Sequence, residues 1–126
     1  MTPDQALDAL RAAIEPGRAE GMAAYHKVDR PYLGVANPVI DGLVKDWRAE
    51  TDLDGRLALA RGLWKSNIHE ARIAAAKLLT QARIRPDDAA WGLIRSWVPE
   101  FDSWAIADHV CMAGQKRLVA KPARLD

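Results

Sequence analysis

DLDGRLALARGLWKSNIHEARIAAAKLLTQAR, residues 52–83, decides the fold. At a period of 3.6 it reads as two helices, over about 54–66 and about 68–83. Ala71, Ala75, Leu78, Leu79 and Ala82 form one apolar stripe along the second. Asn67 stands between the two as an N-cap, with Glu70 three positions on to close a capping box. So short a link makes the helices antiparallel neighbours.

The same punctuation continues outward in both directions. Upstream, Asn37-Pro38 caps a helix with Val39, Leu43, Val44 and Trp47 on one face. Before it, Val28 to Val35 reads as an irregular loop, and a short helix spans about 18–26. Thr2-Pro3-Asp4-Gln5 is a capping box with proline at the first helical position. Ala6, Leu7, Leu10 and Ile14 follow at helical spacing, and Glu15-Pro16-Gly17 stops that helix. Downstream, Pro86-Asp87-Asp88 opens a helix with Trp91, Ile94 and Val98 inward, and Pro99 ends it. Asp102 or Ser103 caps a further helix from Trp104 to about Met112, and the basic tail begins one more near 115–120. Trp47, Trp64, Trp91 and Trp97 fall on apolar faces and are expected in the core. No run alternates as a strand would. The fold class is all-α, and successive helix pairs of similar length suggest an α-solenoid over a single domain, residues 1–126. Residue-level repetition is weak, which leaves an irregular bundle open. The tail ends in charged helix-forming sequence with no stop, so the chain is expected to be part of a longer product.

Composition narrows the function classes. The chain has 126 residues, 49% hydrophobic and 28% charged, enough to bury a core. Net charge is +1, so no global basic signature announces a nucleic acid. Residues 1–60 hold 7 Lys+Arg against 10 Asp+Glu, and residues 61–126 hold 11 against 7. An anionic partner should therefore favour the second half. Cys111 is the single cysteine, which excludes an internal disulfide and a cysteine-rich metal site and suits a cytoplasmic setting. No apolar run approaches a membrane span, and the N-terminus lacks the pattern of a signal peptide.

Asp108 is the foremost candidate for chemistry. It sits in an otherwise largely apolar helix, four residues after Trp104, so the two share a face. A carboxylate among apolar residues costs free energy unless it is paired or functional. An indole face beside a carboxylate suits a cationic ligand. The alternative is a carboxylate that bonds a neighbouring helix or faces solvent. Tyr25 and Lys27 precede the Tyr32-Leu33-Gly34 loop and are candidates for a phosphate backbone; a tyrosine packed by its ring is the alternative. His69 has no second histidine at i+4 and does not read as a metal ligand. Taken alone, Glu70 reads as a helix cap and Arg72 as a salt-bridge partner. No P-loop, nucleophile elbow or dinucleotide fingerprint is present.

Three motifs in order resemble one family. Met22-Ala23-Ala24-Tyr25 with Tyr32-Leu33-Gly34-Val35, then Leu63-Trp64 with His69-Glu70-x-Arg72 and Ala75, then Trp104-x-x-x-Asp108, are similar to the HEAT-like alkylpurine DNA glycosylases of the DNA alkylation repair family. The resemblance implies a HEAT-like solenoid that binds alkylated double-stranded DNA; a monomer is expected, with no cofactor and no metal. It implies a monofunctional glycosylase that releases cationic N3- or N7-alkylated purines without a base-flipping pocket. Asp108 would stabilise the oxocarbenium-like sugar and position water, and Trp104 would pack on the deoxyribose. Tyr25, Lys27, Arg72, Lys116 and Arg117 are the expected DNA contacts. The family continues beyond this chain's length, to a second aromatic wall and a DNA-contacting arginine. No tryptophan follows Trp104, and neither Arg117 nor Arg124 matches that arginine, so a chain of this length is expected to bind DNA weakly and to excise slowly or not at all. A non-catalytic helical-repeat module binding DNA or protein is the alternative function.

Overall fold

The computed structural model describes residues 1–81, 84 and 87–125. Among them the chain forms seven α-helices and no strand: α1 Pro3–Ala12, α2 Arg18–His26, α3 Asn37–Glu50, α4 Leu53–Lys65, α5 His69–Leu78, α6 Asp88–Trp97 and α7 Trp104–Ala120. Short 3-10 turns occupy Val98–Glu100 and Pro122–Leu125. The protein is all-α, as its helical periodicity requires.

α5 is the axis of the molecule. Every residue of it except Lys77 is buried, and α1, α3, α4 and α7 pack around it. The single stripe expected for this helix is therefore too narrow a description, and its last residue, Ala82, lies outside the described residues, as does the expected end at Arg83. Ala71, Ala74, Ala75 and Ala76 keep the surface of α5 low, so ridges of its neighbours can seat on several sides at once. Leu78, Leu79 and Leu63 are fully buried around it, each contributing about 2 kcal/mol of transfer free energy. Gly62 gives the same close approach between α4 and α1, since a β-carbon there would collide with the ring of Pro3.

The capping box at the N-terminus forms as its sequence predicts. Thr2 Oγ1 accepts from the Gln5 amide at 3.2 Å, and Gln5 Oε1 accepts from the Thr2 amide at 2.8 Å. The box expected at Asn67 does not form. Asn67 takes left-handed φ, +58°, and Ile68 is the N-cap of α5. Ser66 Oγ accepts from the Ile68 amide instead, at 3.2 Å, and Glu70 is used elsewhere. Two inward faces keep Val44, Trp47 and Ile94 as read and differ at their edges. α3 starts from Ala36 as N-cap and turns Ile40, Val44 and Trp47 inward, leaving Val39 exposed. α6 buries Ala90, Ile94 and Trp97, with Trp91 half-buried and Val98 exposed in the 3-10 turn where the helical phase breaks. The residues expected to form two C-terminal helices make one, α7, which runs unbroken through a buried Gly114.

Candidate functional site

The site begins with the loop between α2 and α3. Gly34 there has φ +92°, and a β-carbon on it would meet the Ala19 amide nitrogen at 2.9 Å, so only glycine fits. The loop is held from beneath by Glu70. Its buried carboxylate accepts from the amides of Leu33 at 3.0 Å, Gly34 at 2.7 Å and Val35 at 3.0 Å. Three charge-assisted bonds compensate the desolvation of a buried acid. The loop in turn ties the link before α2 to the start of α5: the Glu15 amide donates to the Gly34 carbonyl at 2.9 Å, and the His69 amide to the Pro31 carbonyl at 3.0 Å.

The start of α7 is fixed by two buried arginines. Arg30 pairs with Asp102. Arg72 donates to the Trp64 carbonyl at 3.1 Å and to Glu100 at 3.2 Å, and its guanidinium lies 4.4 Å over the Trp64 ring. Trp64 stacks on Trp97 at 4.5 Å and donates its indole N–H to the same Glu100. Both acids lie in the short segment that leads into Trp104, so the first turn of α7 is anchored to the core on two sides.

Between α2 and α7, with α5 as its floor, lies an open cleft of about 460 Å³. Tyr25, His26, His69, Trp104 and Asp108 line it. Tyr25 and Trp104 meet edge to face, ring centroids 5.8 Å apart, and remain 68% and 56% exposed. Two large rings left in water at the mouth of a cleft are the exception in a molecule that buries its other tryptophans wholly or in part. Asp108 is exposed on the same helix wall, one turn beyond Trp104. His26 is the hub behind them: its ring lies 5.1 Å from Tyr25, 5.5 Å from Trp104, 4.5 Å from His69 and parallel to Tyr32 at 5.9 Å. Burial pushes the His69 imidazole down to about 4, against an opposing pull from Glu70, so it is neutral at neutral pH. Burial also lowers His109 on the same wall, helped by Lys77 and opposed by Asp41 and Asp108.

The fold thus brings Tyr25, Trp104 and Asp108 into one cleft. It does not bring the expected arginines there. Arg72 is buried and spent on Trp64 and Glu100, which is the salt-bridge reading of its sequence context and not the phosphate one. Arg117 is fully buried, donates to the Leu79 carbonyl at 3.2 Å and to the Gln81 carbonyl, and faces Asp87 at 3.3 Å. The structure places both arginines in the interior, with their partners within the protein. Lys27 is exposed at the C-cap of α2, two residues past Tyr25, and Lys116 is exposed one turn beyond Met112. Sequence reasoning missed His26 as the hub of the aromatic cluster, Arg30 as an anchor and Glu70 as the loop's acceptor. A polar His-Glu pair opening an alanine-rich helix was the one available signal.

Among the described residues no three His, Cys, Asp or Glu side chains converge as a metal site, and no helix is long and apolar enough to cross a membrane. Comparison with known proteins gives one match. The family model described as DNA alkylation repair enzyme matches residues 6–126. No curated protein and no solved structure matches the chain. The match spans the loop held by Glu70, the axial helix and the cleft, and the chain belongs to the DNA alkylation repair enzyme family.

Proposed function

We propose that the protein is a DNA glycosylase that hydrolyses the N-glycosidic bond of purines alkylated at N3 or N7 in double-stranded DNA. The observation that carries this reading is the exposed Tyr25–Trp104 corner with Asp108 one turn away on the same cleft wall. Membership in a DNA alkylation repair family supplies the substrate class.

The chemistry asks little of the protein. Alkylation at N3 or N7 makes the purine a cation. When the bond to C1′ breaks, the electron pair stays on the base and neutralises it, so the leaving group needs no added proton. That agrees with a cleft whose most buried histidine, His69, is held neutral. Positive charge moves to the deoxyribose, which becomes oxocarbenium-like. Asp108 stabilises that charge and holds the water that bonds to C1′, as carboxylates do in glycoside hydrolysis. The water gives up one proton to solvent. The indole of Trp104 packs on the sugar, where its face favours positive charge. The cleft is open to solvent on one side, which suits a lesion that stays stacked better than a flipped base sealed in a pocket. Lys27 and Lys116 are cations available to backbone phosphates.

Incubation of the 126-residue chain with dimethyl-sulfate-treated duplex DNA tests the reading, with released bases separated by chromatography. Slow release of free 3-methyladenine or 7-methylguanine, above the spontaneous rate, is the expected result. Binding to the duplex without any release would favour a non-catalytic DNA-binding module.

A further inference from the structure

A second groove adjoins the cleft, and its charge is unbalanced. It measures about 380 Å³ and runs between α3, α5 and the middle of α7. His109 and Met112 line both it and the Asp108 cleft, so the two are continuous. Its cations are Lys45, Arg48 and Lys77, and its one carboxylate is Asp41, which lies 2.6 Å from Lys77. Among the described residues neither Lys45 nor Arg48 has an acidic partner. At 100° per residue, Asp41, Lys45 and Arg48 share one face of α3, while Asp46 and Glu50 fall on the opposite face. Arg48 Nε is buried with no hydrogen-bond partner, and so is Nε of Arg56 on the neighbouring helix. Burial lowers the Arg56 guanidinium below its usual range, and the Arg48 charge lowers it further. Among the described residues neither guanidinium has a carboxylate partner, and each keeps a buried Nε unbonded. That arrangement costs free energy unless an anion completes it.

We infer that this groove is the track for backbone phosphates of the duplex, with Lys45 and Arg48 contacting the strand flanking the nucleotide held against Trp104 and Asp108. The inference rests on the proposed glycosylase reading for its choice of duplex DNA as the anion. It changes where the DNA lies. Charge counting along the chain favours the second half, yet the fold sets two cations of the acidic first half beside Lys77 and removes Arg72 and Arg117 to the interior.

Salt-dependent binding of undamaged duplex DNA, measured by fluorescence anisotropy over a potassium chloride series, tests the track apart from the chemistry. Each phosphate contact contributes about 0.9 to the slope of log K against log salt. The double variant Lys45→Gln/Arg48→Gln should lower the slope by about 2 and weaken binding by roughly tenfold or more at low salt. The charge-preserving Lys45→Arg/Arg48→Lys should keep the slope, which separates charge from folding. An unchanged slope in the glutamine variant, confirmed folded by circular dichroism, overturns the inference. A fall in slope together with no base release from methylated DNA would uphold the groove and remove the glycosylase reading instead.

Discussion

The two ends of α7 use charge in opposite ways. At its C-terminal end Arg117 is wholly buried, facing Asp87 and donating to the carbonyls of Leu79 and Gln81, and Arg124 reaches the same Asp87 at 2.6 Å. At its N-terminal end Trp104 and Asp108 are exposed in a cleft whose walls the core holds rigidly. One end consumes its polar groups in folding and the other keeps them available. The contrast teaches how to tell a structural charge from a functional one in this chain: a structural charge has its partners inside the protein.

The largest test of that contrast is at the closed end. Arg117→Met should cost about 3 kcal/mol of stability, because two carbonyls and part of Asp87 lose their partner inside the protein. Urea denaturation would measure it, and the rate of base release per folded molecule should not change. A destabilisation below about 1 kcal/mol would mean the closed end is not a structural network.

Acid titration gives the next effect. The folded His69 value, about 4, lies below the unfolded value of about 6.5, so the unfolded chain binds the extra proton. The stability this confers is complete above pH 6.5 and is lost as pH falls toward 4, amounting to about 3 kcal/mol from this group. His109 is lowered too and adds to the same trend. Thermal melts between pH 7.5 and 4.5 should show the decline, and His69→Phe should flatten it. A stability that stays level over that range would contradict the buried neutral imidazole.

Loss of Glu70 should rank third. Glu70→Gln keeps one acceptor oxygen where the carboxylate has two, so at least one of the three bonds to the 33–35 loop is lost, the others become neutral, and the change should cost about 2 kcal/mol. Hydrogen exchange at the Gly34 and Val35 amides would show it first, as faster exchange confined to that loop. The smallest effect belongs to Lys27→Gln at the cleft rim. A single exposed cation there should change duplex affinity by only a few-fold, with a salt slope lower by about 0.9 if it meets a phosphate.

Much of this was legible in the sequence for reasons that are local. The box at Thr2 and Gln5 and the end of α6 before Pro99 depend on neighbours within four residues, and they form as read. The placement of Asp108 and Trp104 on one face follows from their spacing. What was not legible depends on partners far along the chain. Glu70 finds its acceptor role 35–37 residues away, and Arg72 meets Glu100 at a separation of 28. In sequence, Glu70 reads as a helix cap and Arg72 as a salt-bridge partner, with nothing nearby to name the distant groups they meet. His26 becomes the hub of five rings only because the 28–35 loop returns Tyr32 and the axial helix supplies His69. On α3 and α6 Val44, Trp47 and Ile94 point inward as read, while Val39, Trp91 and Val98 were each read one position off the buried row, because apolar residues occur on either side of it and only packing on α5 and α7 chooses between them.

The most direct measurement is single-turnover release of 3-methyladenine by the wild-type chain and by Asp108→Asn, on the same methylated duplex and with thermal melts run alongside. The expected rate is lower by about 100-fold or more in the variant, the size typical of removing one preorganised electrostatic stabiliser, with duplex affinity and melting temperature near those of the wild type. Equal rates for the two proteins would contradict it and return Asp108 to the class of ordinary surface charges.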